Sequence, residues 1–387
     1  MADKSPKPIR CKAAVCRAAG EPLTIEEIVV DPPKAYELRI KIICASLCHT
    51  DITFWRPKEY SRGRYLQYFQ ESWATSPMGK VVESVGEQVE EFAAGDAVVP
   101  TFLGQCGSCP SCASEHNNMC STVPFVVGPG MRRDGTSRFR DAQGAPVHDL
   151  FAVSSFSEYT VVDMIQVAKV DHAVPPKLGC LLSCGAGTGL GAAWRLAKVE
   201  PGSSVVIFGL GTVGLGVAQG AKMCGASKII GVDLNPAKEE VGKKFGVTDF
   251  INPSQLDKTS VSEAIYELTG GGADYSFECV GVASVMTDAF RSTKLGSGKA
   301  IILGVEKDGQ PICLPSFEFL YGKCVMGSFF GGIKPKIDIP ILAEKCMNKE
   351  LELDGLITHE VGLKDINQAF DLLQKGESLK CVIWMDK

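Results

Sequence analysis

The chain has no run of about 18 apolar residues that could span a bilayer. Its first ten residues, MADKSPKPIR, lack the apolar stretch of a signal peptide. Internal repeats and low-complexity tracts are absent. Net charge is only −5 over 387 residues, which gives no reason to expect a nucleic-acid or membrane partner. Histidine is scarce: there are five, and none between His49 and His116, so that stretch offers no imidazole to a metal. Such a chain is expected to be a cytoplasmic enzyme, long enough for two domains with full cores. Cysteine, by contrast, is plentiful at 16 residues. In a reducing compartment these are expected as metal ligands and small buried apolar side chains rather than disulfides.

Four of them stand close together as Cys106-x2-Cys109-x2-Cys112-x7-Cys120, in QCGSCPSCASEHNNMC. Four thiolates at such spacing satisfy a tetrahedral zinc and leave no open position. The quartet therefore reads as a structural zinc site that holds a loop and does no chemistry.

The chain changes character near Cys184. Before it come short β-rich runs such as LRIKIIC and AVVPTF, broken by Gly and Pro, and the segment FVVGPGMRRDGTSRFRDAQGAP reads as an exposed loop. Beyond it strands and helices alternate, as in parallel βαβ units. Strands are expected at VVIFG, KIIGVD, DYSFECVG, AIILGV and CVMGSFFGG. Helices are expected at VGLGVAQGAKMCG and PAKEEVGKKFG. The tail after Gly332 carries two further helices, IPILAEKCMNKEL and LKDINQAFDLLQKG, and a last strand, KCVIWM.

Gly209-Leu-Gly211-Thr-Val-Gly214 follows the first of these strands and opens a helix, with Asp233 at the end of the next strand. In that context G-x-G-x-x-G is a dinucleotide fingerprint. Gly209 allows the tight turn. Gly211 lets backbone N–H groups approach a pyrophosphate at the helix N-terminus, and Gly214 permits close helix–sheet packing. Asp233 can accept from the adenosine ribose hydroxyls and would repel a 2′-phosphate, which favours NAD over NADP.

A third motif is Cys48-His49-Thr50-Asp51, with Cys184 far downstream. Taken with the quartet and the fingerprint in this order, the chain from about Pro8 onward resembles the zinc-dependent alcohol dehydrogenases of the medium-chain dehydrogenase/reductase superfamily. It is most similar to their plant alcohol dehydrogenase-like group, through SSFSEYTVVD, GVDLNPAK, KKFGVTDF, FGGIKPK and CVIWMDK. The resemblance implies an α/β chain with a GroES-like β-rich catalytic domain over 1–185 and 331–387. Between these segments it implies a Rossmann NAD-binding domain, a doubly wound parallel sheet, over 186–330. It further implies a homodimer and an alcohol or carbonyl substrate.

Carried over by position, Cys48 and Cys184 match ligands of a catalytic zinc, Thr50 the hydroxyl that relays the alcohol proton, and Asp51 a group that orients the metal site. His49 and Lys380 match positions facing the coenzyme pyrophosphate. Lys238 matches a lysine near the adenosine ribose, Thr188 a threonine packed on the nicotinamide, and Phe102 an aromatic wall of the substrate pocket. By the same resemblance, Val305 is expected to contact the coenzyme, and the strand near it to shape the pocket. Thr53 stands where some relatives have an outer proton-relay histidine.

The family's third catalytic ligand is a histidine in Gly-His-Glu. Counted back from Val82-Glu83-Ser84-Val85-Gly86-Glu87, that histidine falls on Ser76 and the glutamate on Pro77. Relatives read Phe-Pro-Arg-Ile-Leu-Gly-His-Glu here, which TTT CCA AGA ATC TTG GGC CAC GAG encodes. Deleting one C of the proline codon gives Phe-Gln-Glu-Ser-Trp-Ala-Thr, the residues Phe69 to Thr75 of this chain. Residues 70–77 thus read as a compensated frameshift over an ancestral Pro-Arg-Ile-Leu-Gly-His-Glu. A plain loss of the catalytic metal is the competing explanation, and Glu71 is a conceivable replacement ligand with no spacing to support it. The leading function is a zinc- and NAD-dependent alcohol dehydrogenase whose catalytic site is one ligand short. The alternatives are a hydroxynitrile lyase on the same scaffold and a catalytically impaired NAD-binding relative.

Overall fold

The computed structural model describes residues 6–56, 71–72, 77–128, 130–306 and 309–387. The chain divides into two compact units. One comprises Met1–Cys184, Lys334–Lys349 and Leu353–Lys387; the other comprises Gly185–Ile333 and Glu350–Glu352.

The first unit is β-rich. Strands Ile9–Cys16, Thr24–Val30, Phe139–Arg140, Pro146–Asp149 and Glu71–Ser72 close into a small barrel. A second sheet is built around the long strand Glu37–Ser46, which pairs with Pro77–Val85, Tyr159–Asp163 and Lys380–Trp384. Its core joins Leu38, Ile40 and Ile42 of that strand to Phe156, Ile366, Phe370 and Ile383. The last two elements come from the far end of the sequence, so the C-terminal tail completes a unit that the N-terminal half begins.

The segment expected as an exposed loop is partly built in. Phe139–Arg140 is a barrel strand, and Arg138 is buried with both guanidinium edges occupied. It donates to Glu37 Oε1 at 2.5 Å and Oε2 at 2.8 Å, and to Asp134 Oδ2 at 2.9 Å. A buried arginine stays only where carboxylates pair it. The charge of RRDGTSRFRD disguised that burial.

The second unit is the doubly wound parallel sheet. Its strands lie in the spatial order Asp249–Ile251, Lys228–Val232, Ser204–Phe208, Tyr275–Glu278, Lys299–Ile302 and Cys324–Gly327, all parallel. Val206, Phe208, Ile230 and Val232 are buried because helices cover such a sheet on both faces. The chain order reverses between Ser204–Phe208 and Tyr275–Glu278. Ligands of open α/β sheets bind beyond the carboxyl ends of the strands at such a switch point.

The expected strands and the helix after the fingerprint all form, the helix as Thr212–Met223. Glycine explains how closely this helix packs on Gly185–Gly191. A Cβ at Gly189 would lie 2.1 Å from the Val213 carbonyl oxygen, and one at Gly216 would lie 2.8 Å from that of Ala186. The glycine run in SCGAGTGLG is therefore a helix–helix contact.

Candidate functional site

Two elements of the first unit converge on a pair of thiols. The strand Glu37–Ser46 leads into the helix His49–Trp55, with Cys48 as the residue before it in extended conformation. Asp51, fully buried, fixes this turn by accepting from the Cys48 N–H at 2.7 Å. The other thiol, Cys184, follows the helix Pro176–Leu182, which starts on proline as helices favour. Across 136 residues of sequence the two Sγ atoms come to 3.5 Å. The Thr50 hydroxyl lies 3.7 Å from Cys48 Sγ.

Lys380 completes the surroundings. Its side chain is buried, and its ammonium donates to the Leu47 carbonyl at 3.0 Å. Against burial, which favours the neutral amine, Cys48 and Cys184 push its pKa up. The Cys184 hydrogen bond, opposed by burial and helped by Lys380, draws the Cys48 thiol well below its usual range. Four residues before each of them, Cys44 on the strand and Cys180 on the helix form a second buried thiol pair at 3.4 Å. His49 is exposed, and its carbonyl accepts from the Thr53 hydroxyl at 3.0 Å.

An aromatic cluster adjoins the helix that carries Thr50. Phe54 meets Phe151 edge-on at 5.2 Å between centroids, Phe125 stands 5.3 Å from Phe151, and Phe102 stands 6.2 Å from Phe125. Phe102, expected in a pocket wall, is thus held by other aromatics in the same unit.

Cys106, Cys109, Cys112 and Cys120 bring all four Sγ atoms within 4.8 Å of one another, three of the four side chains being buried. Hydrogen bonds from Ser121 and the Cys112 N–H pull Cys109 down to about 4. Burial and the neighbouring Cys109 and Cys120 push Cys112 up to about 12. Four thiolates cannot share so small a volume without a cation, and a tetrahedral dication of zinc's size fits this donor set. Lys334 braces the site from the C-terminal tail, its ammonium donating to the carbonyls of Cys112 at 2.9 Å and Ser114 at 2.7 Å. Lys334 lies 222 residues from Cys112, so no local spacing ties it to the quartet. Lys334→Ala is expected to weaken zinc retention about tenfold, as loss of a partner behind the ligands does. Competition with a chromogenic chelator measures this.

The second unit carries the fingerprint. Gly209 has φ +88°, which favours glycine, and a Cβ there would lie 2.8 Å from Val280 Cγ2. A Cβ at Gly214 would lie 1.9 Å from the Gly209 carbonyl oxygen. Gly211 is exposed at the start of the helix Thr212–Met223. Asp233 stands just beyond the strand Lys228–Val232, where its carboxylate accepts from Leu210 N at 2.8 Å and Asn235 N at 2.9 Å. Lys238 opens the next helix, its pKa lowered by burial and partly restored by Asp233. Thr188 is half-buried on the helix Gly185–Gly191, and Val305 is exposed.

Ser76 and most of the 70–77 stretch lie outside the described residues. Among the described residues, the quartet is the only group of three or more candidate metal ligands. Among the described residues Cys48 and Cys184 bring two thiols together; a catalytic zinc takes three protein ligands.

The comparisons agree with this architecture. Residues 34–172 match the alcohol dehydrogenase GroES-like domain, and residues 212–349 match the zinc-binding dehydrogenase domain. The chain is 54% identical over 382 residues to alcohol dehydrogenase-like 2 of Arabidopsis thaliana, covering 98% of each chain. It is 47% identical to alcohol dehydrogenase class-P of the same plant, over 97% of this chain and 98% of that one. Among solved structures, an alcohol dehydrogenase zinc-binding domain protein from Burkholderia ambifaria superposes with a TM-score of 0.90 at 33% identity, covering 98% of this chain and all of the other. Benzyl alcohol dehydrogenase from Acinetobacter calcoaceticus superposes with a TM-score of 0.87 at 29% identity, over 97% and 99% of the two chains. A GroES-like unit bearing a zinc quartet, joined to a doubly wound sheet, defines a zinc-binding oxidoreductase. This chain belongs to the zinc-dependent alcohol dehydrogenase family.

Proposed function

We propose that the chain is an NAD-dependent oxidoreductase that interconverts small alcohols with aldehydes or ketones, through a metal site that is one ligand short. The observation that carries this reading is the approach of Cys48 and Cys184 to 3.5 Å beside the Thr50 hydroxyl. In the chemistry proposed, a hydride leaves the alcohol carbon for C4 of the nicotinamide. The hydroxyl proton leaves through Thr50, and the reverse direction reduces a carbonyl. A zinc held by Cys48, Cys184 and a third ligand would supply Lewis-acid stabilisation of the alkoxide. Ser76 stands in the histidine's place in the sequence and leaves that ligand set incomplete. Alcohol oxidation is then slow, and reduction of an already activated acceptor, such as an iminium or a conjugated carbonyl, is retained.

Gly209, Gly211 and Gly214 cradle the pyrophosphate. Asp233, with Lys238 beside it, reads the adenosine ribose, and Thr188 and Val305 contact the nicotinamide half. Phe102 lines the substrate pocket. Lys380 serves the charge balance of the Cys48–Cys184 pair, because its ammonium is buried there. The sixteen free thiols fit a reducing compartment such as the cytosol. A homodimer is supported by the open edge strand Cys324–Gly327 and the neighbouring Phe317 and Leu320, which are 63% and 78% exposed. Exposed edges flanked by apolar residues invite pairing with a second copy.

The test is NADH consumption with a conjugated aldehyde, run beside NADH production from the matching alcohol. Faster reduction than oxidation is the expected outcome; no NADH turnover with any carbonyl acceptor would defeat the proposal. Coenzyme choice has its own test. Asp233→Asn removes the charge that repels a 2′-phosphate while keeping an acceptor for Leu210 N. The ratio of NADPH to NADH affinity is expected to rise roughly tenfold or more, from the loss of one charged contact. Fluorescence titration with both reduced coenzymes reads it.

A further inference from the structure

Glu278 is a carboxylic acid where an apolar residue is expected. It ends the strand Tyr275–Glu278, whose other side chains are buried, and it is itself fully buried. That strand borders Ser204–Phe208, so Glu278 stands at the switch point of the sheet. Nothing in the fingerprint G-x-G-x-x-G requires an acid there.

Its contacts are specific. Oε1 accepts from Val280 N at 2.8 Å and from Gly281 N at 2.7 Å, so the carboxyl group clamps the turn that follows its own strand. The turn is wedged between the two other segments at this end of the sheet. On one side Cys279 N donates to the Phe208 carbonyl at 2.9 Å, and Val280 packs on Gly209 of the fingerprint. On the other side the Glu278 carbonyl accepts from Leu303 N at 2.9 Å and Gly304 N at 3.0 Å. A Cβ at Gly304 would lie 2.4 Å from Glu278 Oε2 and 2.1 Å from Gly281 N, and one at Gly281 would lie 2.4 Å from the Val305 carbonyl oxygen. Glu278 Oε2 is buried with no hydrogen-bond partner among the described residues.

We propose that Glu278 is a positioning residue of the dinucleotide site, whose carboxyl group sets the turn Cys279–Gly281 between the glycine-rich loop and the Gly304–Val305 segment. This rests on the coenzyme reading above and deepens it. The three segments that border the switch point meet at this side chain, so its loss frees the turn to move where a bound coenzyme needs rigid backbone. Burial raises the Glu278 pKa, with the turn N–H groups opposing. Glutamine keeps the shape of this side chain and an oxygen that accepts from Val280 N and Gly281 N.

The experiment measures NADH affinity by fluorescence for the wild-type chain, Glu278→Gln and Glu278→Ala, with melting of each coenzyme-free protein followed in parallel. Glu278→Ala is expected to weaken NADH binding about tenfold or more, and Glu278→Gln to stay within about threefold of wild type. Equal NADH affinity in folded Glu278→Ala, whatever its melting temperature, overturns the proposal, because it leaves the residue a purely structural role. So does a glutamine variant as weak as the alanine one. If Glu278→Ala does not fold, the glutamine result decides alone. Wild-type protein that binds no NADH overturns the coenzyme reading, and this inference with it.

Discussion

Replacing residues 71–77 with the family's Pro-Arg-Ile-Leu-Gly-His-Glu segment, which puts the histidine at position 76, raises zinc content from one to two per chain. It also raises alcohol oxidation by roughly three orders of magnitude, the kinetic equivalent of several kcal/mol of alkoxide stabilisation. The reason lies in the donor count. Cys48 and Cys184 already stand 3.5 Å apart, with Lys380 holding charge near them. Two thiolates plus an imidazole make the three-ligand set that leaves one position open for substrate. Zinc analysis and the alcohol-dependent rate of NADH formation check the two halves together. A second zinc with no gain in rate would separate metal binding from catalysis and place the defect elsewhere. An unchanged zinc count would mean that the histidine alone does not complete the site.

Cys112→Ser has the largest expected effect on stability. Its thiol is buried among three others, and its neighbours Cys109 and Cys106 are already biased toward thiolate, at about 4 and about 7. Without a fourth soft ligand the zinc leaves, and the charges on the remaining thiols repel. The loop then loses what orders it, apart from the Lys334 bonds to Cys112 and Ser114. A loss of about 3 kcal/mol lowers Tm by roughly 5–10 °C in a unit of this size. Thermal melting and limited proteolysis at 106–120 measure this, and NADH affinity is expected to change little because the quartet lies in the other unit.

How much was legible beforehand depends on the physical kind of signal. The quartet could be read because four ligands of one metal fall within fifteen residues. The parallel sheet could be read because buried strands are continuous apolar runs and the fingerprint glycines have a steric reason, as the 1.9 Å approach at Gly214 makes plain. The approach of Cys48 to Cys184 is a tertiary contact across 136 residues, and only the family resemblance linked them. Arg138 and Lys380 read as solvent- or coenzyme-facing cations, whereas folding buries both, Arg138 between carboxylates and Lys380 beside thiols. Glu278 was hidden inside DYSFECVG, where a second acid after Asp274, at the end of an otherwise uncharged strand, was the available clue. The short strand Asp249–Ile251 and the helices Val261–Thr269 and Ala283–Arg291 were not singled out. The first has only three residues, and each helix is only nine residues long, too short a window for its apolar spacing to stand out.

Native mass spectrometry of the purified chain, with and without NADH, tests the central claim most directly, since it counts zinc and coenzyme at once. One zinc and one NADH per chain is the predicted result: the quartet filled, the Cys48–Cys184 site short of a ligand, and the dinucleotide sheet competent. Two zinc ions on the chain with Ser76 in place, or zinc without NADH, would contradict the account.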